Sequence, residues 1–170
     1  IVGIAGVAGS GQNTLIDVLA GLRAPASGSL VFEGRTAPSA VELLRGGVAW
    51  IPEERSDALV PALSLGDTLA LYEAASGVRT DRRTRGAARA SAGERLTAFD
   101  VRPAVATLAA GGLSGGNQQK LLAARELDHS WPGGAPRVVL AYGPTQGLDL
   151  RAAQAIRDRL VQAAEAGAAV

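Results

Sequence analysis

The sequence predicts an α/β domain built on a parallel sheet, and three observations carry that prediction. Short apolar runs at 1–5, Val48–Ile51 and Val138–Ala141 have strand length and no helical spacing. Between them lie segments whose apolar residues recur every three to four positions, as in helices. Strands that alternate with helices must run largely parallel, with helices packed on the sheet. The middle of the chain, about 64–127, is helix-rich and breaks the alternation. It reads as a helical subdomain inserted into an α/β core made of about 1–63 and 128–170, all within one domain.

Each element has a local reason. The run at 1–5 reads as a buried strand, and the Gly-rich loop at 6–11 follows it. Leu15, Val18, Leu19 and Leu22 then mark a helix face. Ser27-Gly28 is a turn, and Leu30-Val31-Phe32 a strand closed by Glu33-Gly34. A short helix is expected at 41–44. Pro52 stops the strand at Val48–Ile51 because it cannot donate to a ladder. After a loop at 52–61, Ser64 reads as an N-cap with Asp67 three residues on. Residues 76–100 are Arg- and Ala-rich and predict helix, ending near Phe99-Asp100. A further helix is expected over 114–127, and a polar loop over 128–136. A last helix begins near Arg151, with Ile156, Leu160 and Ala163 on one face.

Composition excludes several classes. The 170 residues include 47% hydrophobic residues and 22 glycines, enough for a sizeable core. No apolar run approaches the roughly 20 residues that cross a bilayer, and no signal-peptide pattern is visible. Without cysteine there is neither a disulfide framework nor a thiolate metal site. A net charge of +1 argues against a nucleic-acid footprint. Arg79, Arg82, Arg83, Arg85 and Arg89 cluster without aromatic partners, so they read as a solvated helix face. The single histidine, His129, reads as a surface residue. The chain has no methionine, starts in a strand-like run and ends where a strand is starting, so it reads as an excised segment.

Two Gly-rich turns carry the chemistry. Leu113-Ser114-Gly115-Gly116-Asn117-Gln118-Gln119-Lys120 opens a helix, whose first amides are unpaired and whose N-terminus carries partial positive charge. Glycines let that backbone approach an anion closely. A plain Gly-rich cap is the alternative. Gly6-Val7-Ala8-Gly9-Ser10-Gly11-Gln12-Asn13 follows a strand and opens another helix, the context a phosphate loop requires. Its glycine spacing fits, but Gln12 stands where such loops have Lys, and Asn13 where they have Ser or Thr. Thr14 comes one position late. Gln12 brings no charge, and Asn13 is a poorer Mg²⁺ partner than a hydroxyl.

Together these turns resemble the signature motif and Walker A loop of ABC-type ATPases, in the variant found in importers of simple sugars and nucleosides. The resemblance covers nearly the whole chain. It implies a P-loop NTPase-type parallel sheet core with an inserted helical (signature) subdomain, here a fragment lacking both family termini. Val48-Ala49-Trp50-Ile51-Pro52-Glu53 aligns with the strand leading to the Q-loop, with Glu53 at the usual Gln. Glu54-Arg55-Ser56-Asp57-Ala58-Leu59-Val60-Pro61 resembles the continuation that touches the metal and the membrane subunit; a solvated loop is the alternative. Pro144-Thr145 and Gly147-Leu148-Asp149 match the family's Walker B end and D-loop. Tyr142 and Gly143 replace the two carboxylates that serve Mg²⁺ and the attacking water. Asp149 is either a helix cap or an interface residue. Phe99-Asp100-Val101-Arg102 and Ala123, Arg125 and Glu126 also fit this subgroup.

The resemblance implies ATP and Mg²⁺ as cofactors. Nucleotide-side residues are Gly6, Gly9, Ser10, Gly11, Gln12, Asn13, Thr14, Ser114, Gly115, Gly116 and Gln118; Asn13 and Glu53 stand on the metal side. It implies a second nucleotide-binding domain fused in the same polypeptide, membrane permease subunits and, indirectly, an extracytoplasmic solute-binding protein, with no nucleic acid. The expected location is the cytoplasmic face of the membrane. This half is expected to hydrolyse ATP poorly while its signature completes the partner's site. A soluble ABC-type ATPase or a non-catalytic pseudo-ATPase module are the alternatives.

Overall fold

The computed structural model describes residues 1–7, 9–71, 91–128 and 135–170. In chain order these form α1 (Gln12–Leu19), β1 (Val31–Phe32), β2 (Arg35–Thr36), α2 (Ala40–Arg45), β3 (Val48–Ile51) and α3 (Leu65–Leu69). Next come α4 (91–98), α5 (Gly115–Leu127), β4 (Val138–Ala141) and α6 (Leu150–Glu165). β3 and β4 pair in parallel, with Val48 opposite Val138 and Ile51 opposite Ala141. Ala169 bridges Val138, also in parallel, so the segment after α6 begins a third strand. β1 and β2 form a separate antiparallel hairpin. Glu33 and Gly34 both have positive φ at its tip, the geometry whose twist suits a two-residue hairpin.

Local chemistry places the helices where the sequence predicts them. Ser39 and Glu42 form a reciprocal capping box at α2. Ser64 Oγ accepts from the amide of Asp67 at 3.0 Å and donates to its carboxylate at 2.6 Å, starting α3. Asp149 caps α6 by accepting from Ala152 N at 2.8 Å. Asp100 ends the helical stretch with positive φ. The arginine cluster at 79–89 and His129 lie outside the described residues.

The expected buried strand at 1–5 does not form. Those residues are irregular, and Ile1, Val2 and Ile4 are 70%, 79% and 63% exposed. Among the described residues one backbone hydrogen bond, Val2 N to Val170 O at 2.6 Å, ties the segment to the sheet edge. Its apolar side chains line an open groove of about 610 Å³ with Leu15, Ile16 and β4. An apolar run becomes a strand only when a neighbour supplies both a ladder and a covering face. Of β4, only Val139 is fully buried, while the strand as a whole borders the same groove.

The core sits on the opposite side. Ile51 and Val139 from the sheet meet Leu65 and Leu69 of α3, Leu96 of α4, Leu121 and Leu122 of α5, and Ile156 of α6. Leu121 and Leu122 are fully buried, each worth about 1.5–3 kcal/mol of transfer free energy. α5 is the hub. Its residues Leu121–Leu127 are buried without a break, although several are polar or small.

Candidate functional site

The first Gly-rich turn leads into α1. Gly9 and Gly11 hold φ of 84° and 92°, conformations that a side chain resists, and Gly11 is the N-cap. The side chain of Gln12 folds back into the loop, and its Nε2 donates to Val7 O at 2.9 Å. A methyl group placed on Gly6 would stand only 2.8 Å from that nitrogen. The cradle is therefore partly filled by its own side chain. Ser10, Asn13 and Thr14 are exposed, and Gln12 is half-buried.

The second turn leads into α5 and is built differently. Ser114 is the N-cap by its backbone, yet its hydroxyl caps no amide. Oγ instead accepts from Asn117 Nδ2 at 3.0 Å, so its proton remains to donate outward. Asn117 Oδ1 in turn accepts from Arg102 N at 2.9 Å, fixing the turn against the preceding loop. The first helical bond is Gln118 N to Ser114 O. The amides of Gly115, Gly116 and Asn117 consequently have no helical acceptor. Gln118 Nε2 reaches Ala110 O at 3.3 Å, so that side chain braces the loop behind the turn and does not face the open amides.

The third cluster joins the ends of β3 and β4. Tyr142 N donates to Ile51 O at 2.9 Å, carrying the parallel register one residue past the strands. A methyl group on Gly143 would lie 3.4 Å from Gln146 Oε1 and 4.0 Å from Glu53 Cγ. Glu53 and Gly143 thus lie close together at the ends of the two strands. Gln12, Tyr142 and Pro144 line one groove together. The second turn instead packs on the following loop, since a methyl on Gly116 would meet Leu148 Cδ2 at 3.6 Å. No hydrogen bond joins 6–14 to 114–116 among the described residues. The two Gly-rich turns stand apart from each other within the chain.

Reading single motifs does not reveal what anchors the second turn. Gln119 is 1% exposed, and its Nε2 donates to Pro144 O at 2.9 Å. Glu126 is fully buried; its Oε2 accepts from Trp50 N at 2.9 Å and its Oε1 from Arg125 Nε at 2.9 Å. Arg125 Nη1 donates to Ala58 O at 2.6 Å. One helix thereby ties the strand before Glu53, the loop at 58 and the loop at 144. The signal for these anchors is a polar residue on a helix face that is otherwise apolar. At the outer edge, Lys120 Nζ contacts the Asp100 carboxylate at 2.7 Å. That bond, then one from Arg102, holds the Asp100 carboxyl below its usual range.

A parallel sheet with a Gly-rich loop before one helix, and an open helix start on an inserted helical segment, defines an ATPase cassette fold. The chain belongs to the ABC transporter family, whose model matches residues 1–130. It is 38% identical to a glucose import ATP-binding protein of Haloferax volcanii, covering all of this chain and 31% of that protein. It is 34% identical to a guanosine import ATP-binding protein of Bacillus subtilis, covering all of this chain and 33% of the relative. The chain therefore spans about a third of the length of these curated relatives. Among solved structures it resembles the dimeric post-hydrolysis state of the ATP-binding cassette MJ0796 bound to ADP and Pi. The TM-score is 0.75 at 23% identity, over 95% of this chain and 68% of that one.

Proposed function

We propose that this chain is the nucleotide-binding domain of an ATP-driven importer for simple sugars or nucleosides, and that it serves a partner's ATP site better than its own. The division into a core of about 1–63 and 128–170 and a helical subdomain of about 64–127 belongs to this reading. The observation that carries it is the turn at 114–116. Its amides and the Ser114 hydroxyl stand open, while the chain's own loop is closed on Gln12. Ser114, Gly115 and Gly116 would hold the terminal phosphate of a nucleotide seated in the P-loop of a second cassette. That second domain would be fused in the same polypeptide. Membrane permease subunits at the cytoplasmic face would complete the transporter, fed by an extracytoplasmic solute-binding protein. Among the described residues no helix is long and apolar enough to cross a membrane.

The chain's own site fits Mg²⁺ poorly. Glu53 is a carboxylate beside Gly143, and Asn13 offers an amide oxygen. Among the described residues no three acidic, His or Cys side chains gather. No metal-dependent step is therefore assigned to this half. The Gln12 bond to Val7 also favours a second reading for this loop, a module that binds no nucleotide of its own. Titrating the chain with ATP, with and without Mg²⁺, separates the two.

The deciding experiment compares two variants in the complete complex. Ser114→Arg puts a bulky cation at a closely approached helix start and is expected to abolish ATP hydrolysis. Gln12→Ala is expected to reduce it far less. Equal loss from both changes would mean two working sites, and no loss from Ser114→Arg would remove the reading altogether.

A further inference from the structure

Arg55 opens the 3₁₀ turn Arg55–Asp57; it is half-buried, and among the described residues its side chain pairs with no acid. Its guanidinium lies against the start of α5, where a methyl group on Gly115 would stand 3.2 Å from Nη2 and 3.6 Å from Cζ. The other side reaches the loop before α6, where a methyl on Gly147 would stand 3.8 Å from Nη1. Among the described residues the guanidinium makes no hydrogen bond and no ion pair. Glu54 and Asp57 flank it in sequence, yet neither pairs with it.

This placement is electrostatically wrong for a cation on its own. A helix N-terminus carries about half a positive charge, so cations belong at the other end. Arg55 adds a full positive charge beside three unpaired amides, and among the described residues no carboxylate pairs with it. Such a group is tolerable on a half-exposed surface and becomes favourable when an anion arrives. Guanidinium suits a phosphate in particular, since its planar fork gives two parallel charge-assisted hydrogen bonds.

We propose that Arg55 binds the terminal phosphate of the nucleotide that a partner cassette presents to the turn at 114–116. This rests on the reading that the turn completes a partner's site, and it adds a charged ligand to it. Backbone amides alone hold any close oxyanion, whereas Arg55 makes the turn respond to the charge of the third phosphate. It therefore favours ATP over ADP in closing the two cassettes. Contact with Gly147 lets the same side chain carry that occupancy to the loop at 146–149.

The test uses the complete complex with Arg55→Met, Arg55→Gln and Arg55→Lys, beside Ser114→Arg. Loss of one preorganised charged donor is expected to lower kcat by at least about tenfold in Arg55→Met and Arg55→Gln. ATP affinity measured on the open, unclosed cassettes should stay within about twofold. ATP-driven closure should be lost while closure with ADP is unchanged. Arg55→Lys keeps the charge but not the fork, and should recover part of the turnover lost in Arg55→Gln. Arg55→Gln turning over like the unmodified complex, while Ser114→Arg is inactive, would overturn the role of Arg55 and leave the turn's own role standing. Equal losses in Gln and Lys variants, together with a lowered melting temperature, would mark Arg55 as a brace between Gly115 and Gly147 and overturn the proposal. Full activity in Ser114→Arg would instead remove the reading beneath it.

Discussion

The turns at 6–13 and 113–119 look alike on paper. Each has glycines, a small hydroxyl residue and a helix behind it. In the fold they differ in two ways. At the first, Gln12 spends its amide on Val7 O, and the flanking residues Val2, Ile4 and Val7 are exposed. At the second, the donors stay open, and the helix beneath is pinned by Gln119, Arg125 and Glu126. The glycines are common to both and so do not set competence. What separates an anion site from a Gly-rich cap is whether its donors are kept unspent and whether its base is rigid.

Breaking the base should have the largest effect. Glu126→Ala leaves Arg125 without its buried carboxylate and Trp50 N without its acceptor. It should cost about 3–5 kcal/mol of folding free energy, measured by urea unfolding. If the loss is under about 1 kcal/mol, the pair is not the anchor described.

Next is Gln119→Ala, which removes the bond to Pro144 O and opens a small void. About 1–3 kcal/mol is expected, with faster hydrogen exchange at Gly143 and Gln146. Unchanged exchange at those amides would detach the α5 turn from the end of β4.

Sharpening the first turn should do less. Gln12→Lys supplies a charged donor and should tighten ATP binding by the chain about tenfold, read by calorimetry. Hydrolysis should stay absent, because Tyr142 and Gly143 still bring no carboxylate. Turnover restored by that one change would show that the end of β4 is misassigned.

The smallest effect belongs to the rim. Asp100 is held ionised by Lys120 and then Arg102, so its folded pKa lies below its unfolded one. Its contribution is present above the unfolded value, about 3.9, and fades as pH falls through the folded one. Exposure and solvent screening keep it to about 0.5 kcal/mol. Asp100→Asn should remove that much stability at pH 7 and progressively less as pH falls below about 3.9, by denaturation across that range.

Much of this protein was legible residue by residue. The capping pairs Ser39/Glu42 and Ser64/Asp67, the strands Val48–Ile51 and Val138–Ala141, and the helices Gly115–Leu127 and Leu150–Glu165 follow from spacing and turn chemistry. These are interactions among near neighbours, and the chain order contains them. The motif strings also identified the family, because a Gly turn before a helix is a local device. Three things were decided by tertiary structure alone. The run at 1–5 has strand composition but is exposed, since a strand needs a partner that no local signal supplies. Gln119 and Glu126 belong to family-like strings in the sequence, but only the fold brings Pro144 O and Trp50 N to them across distant sequence. Arg55 reads as part of a loop that resembles a family segment near the metal and the membrane subunit, not as a neighbour of the turn at 114–116. Only packing sets it between Gly115 and Gly147, because the energy of a charge depends on which dipoles and counter-charges surround it in space.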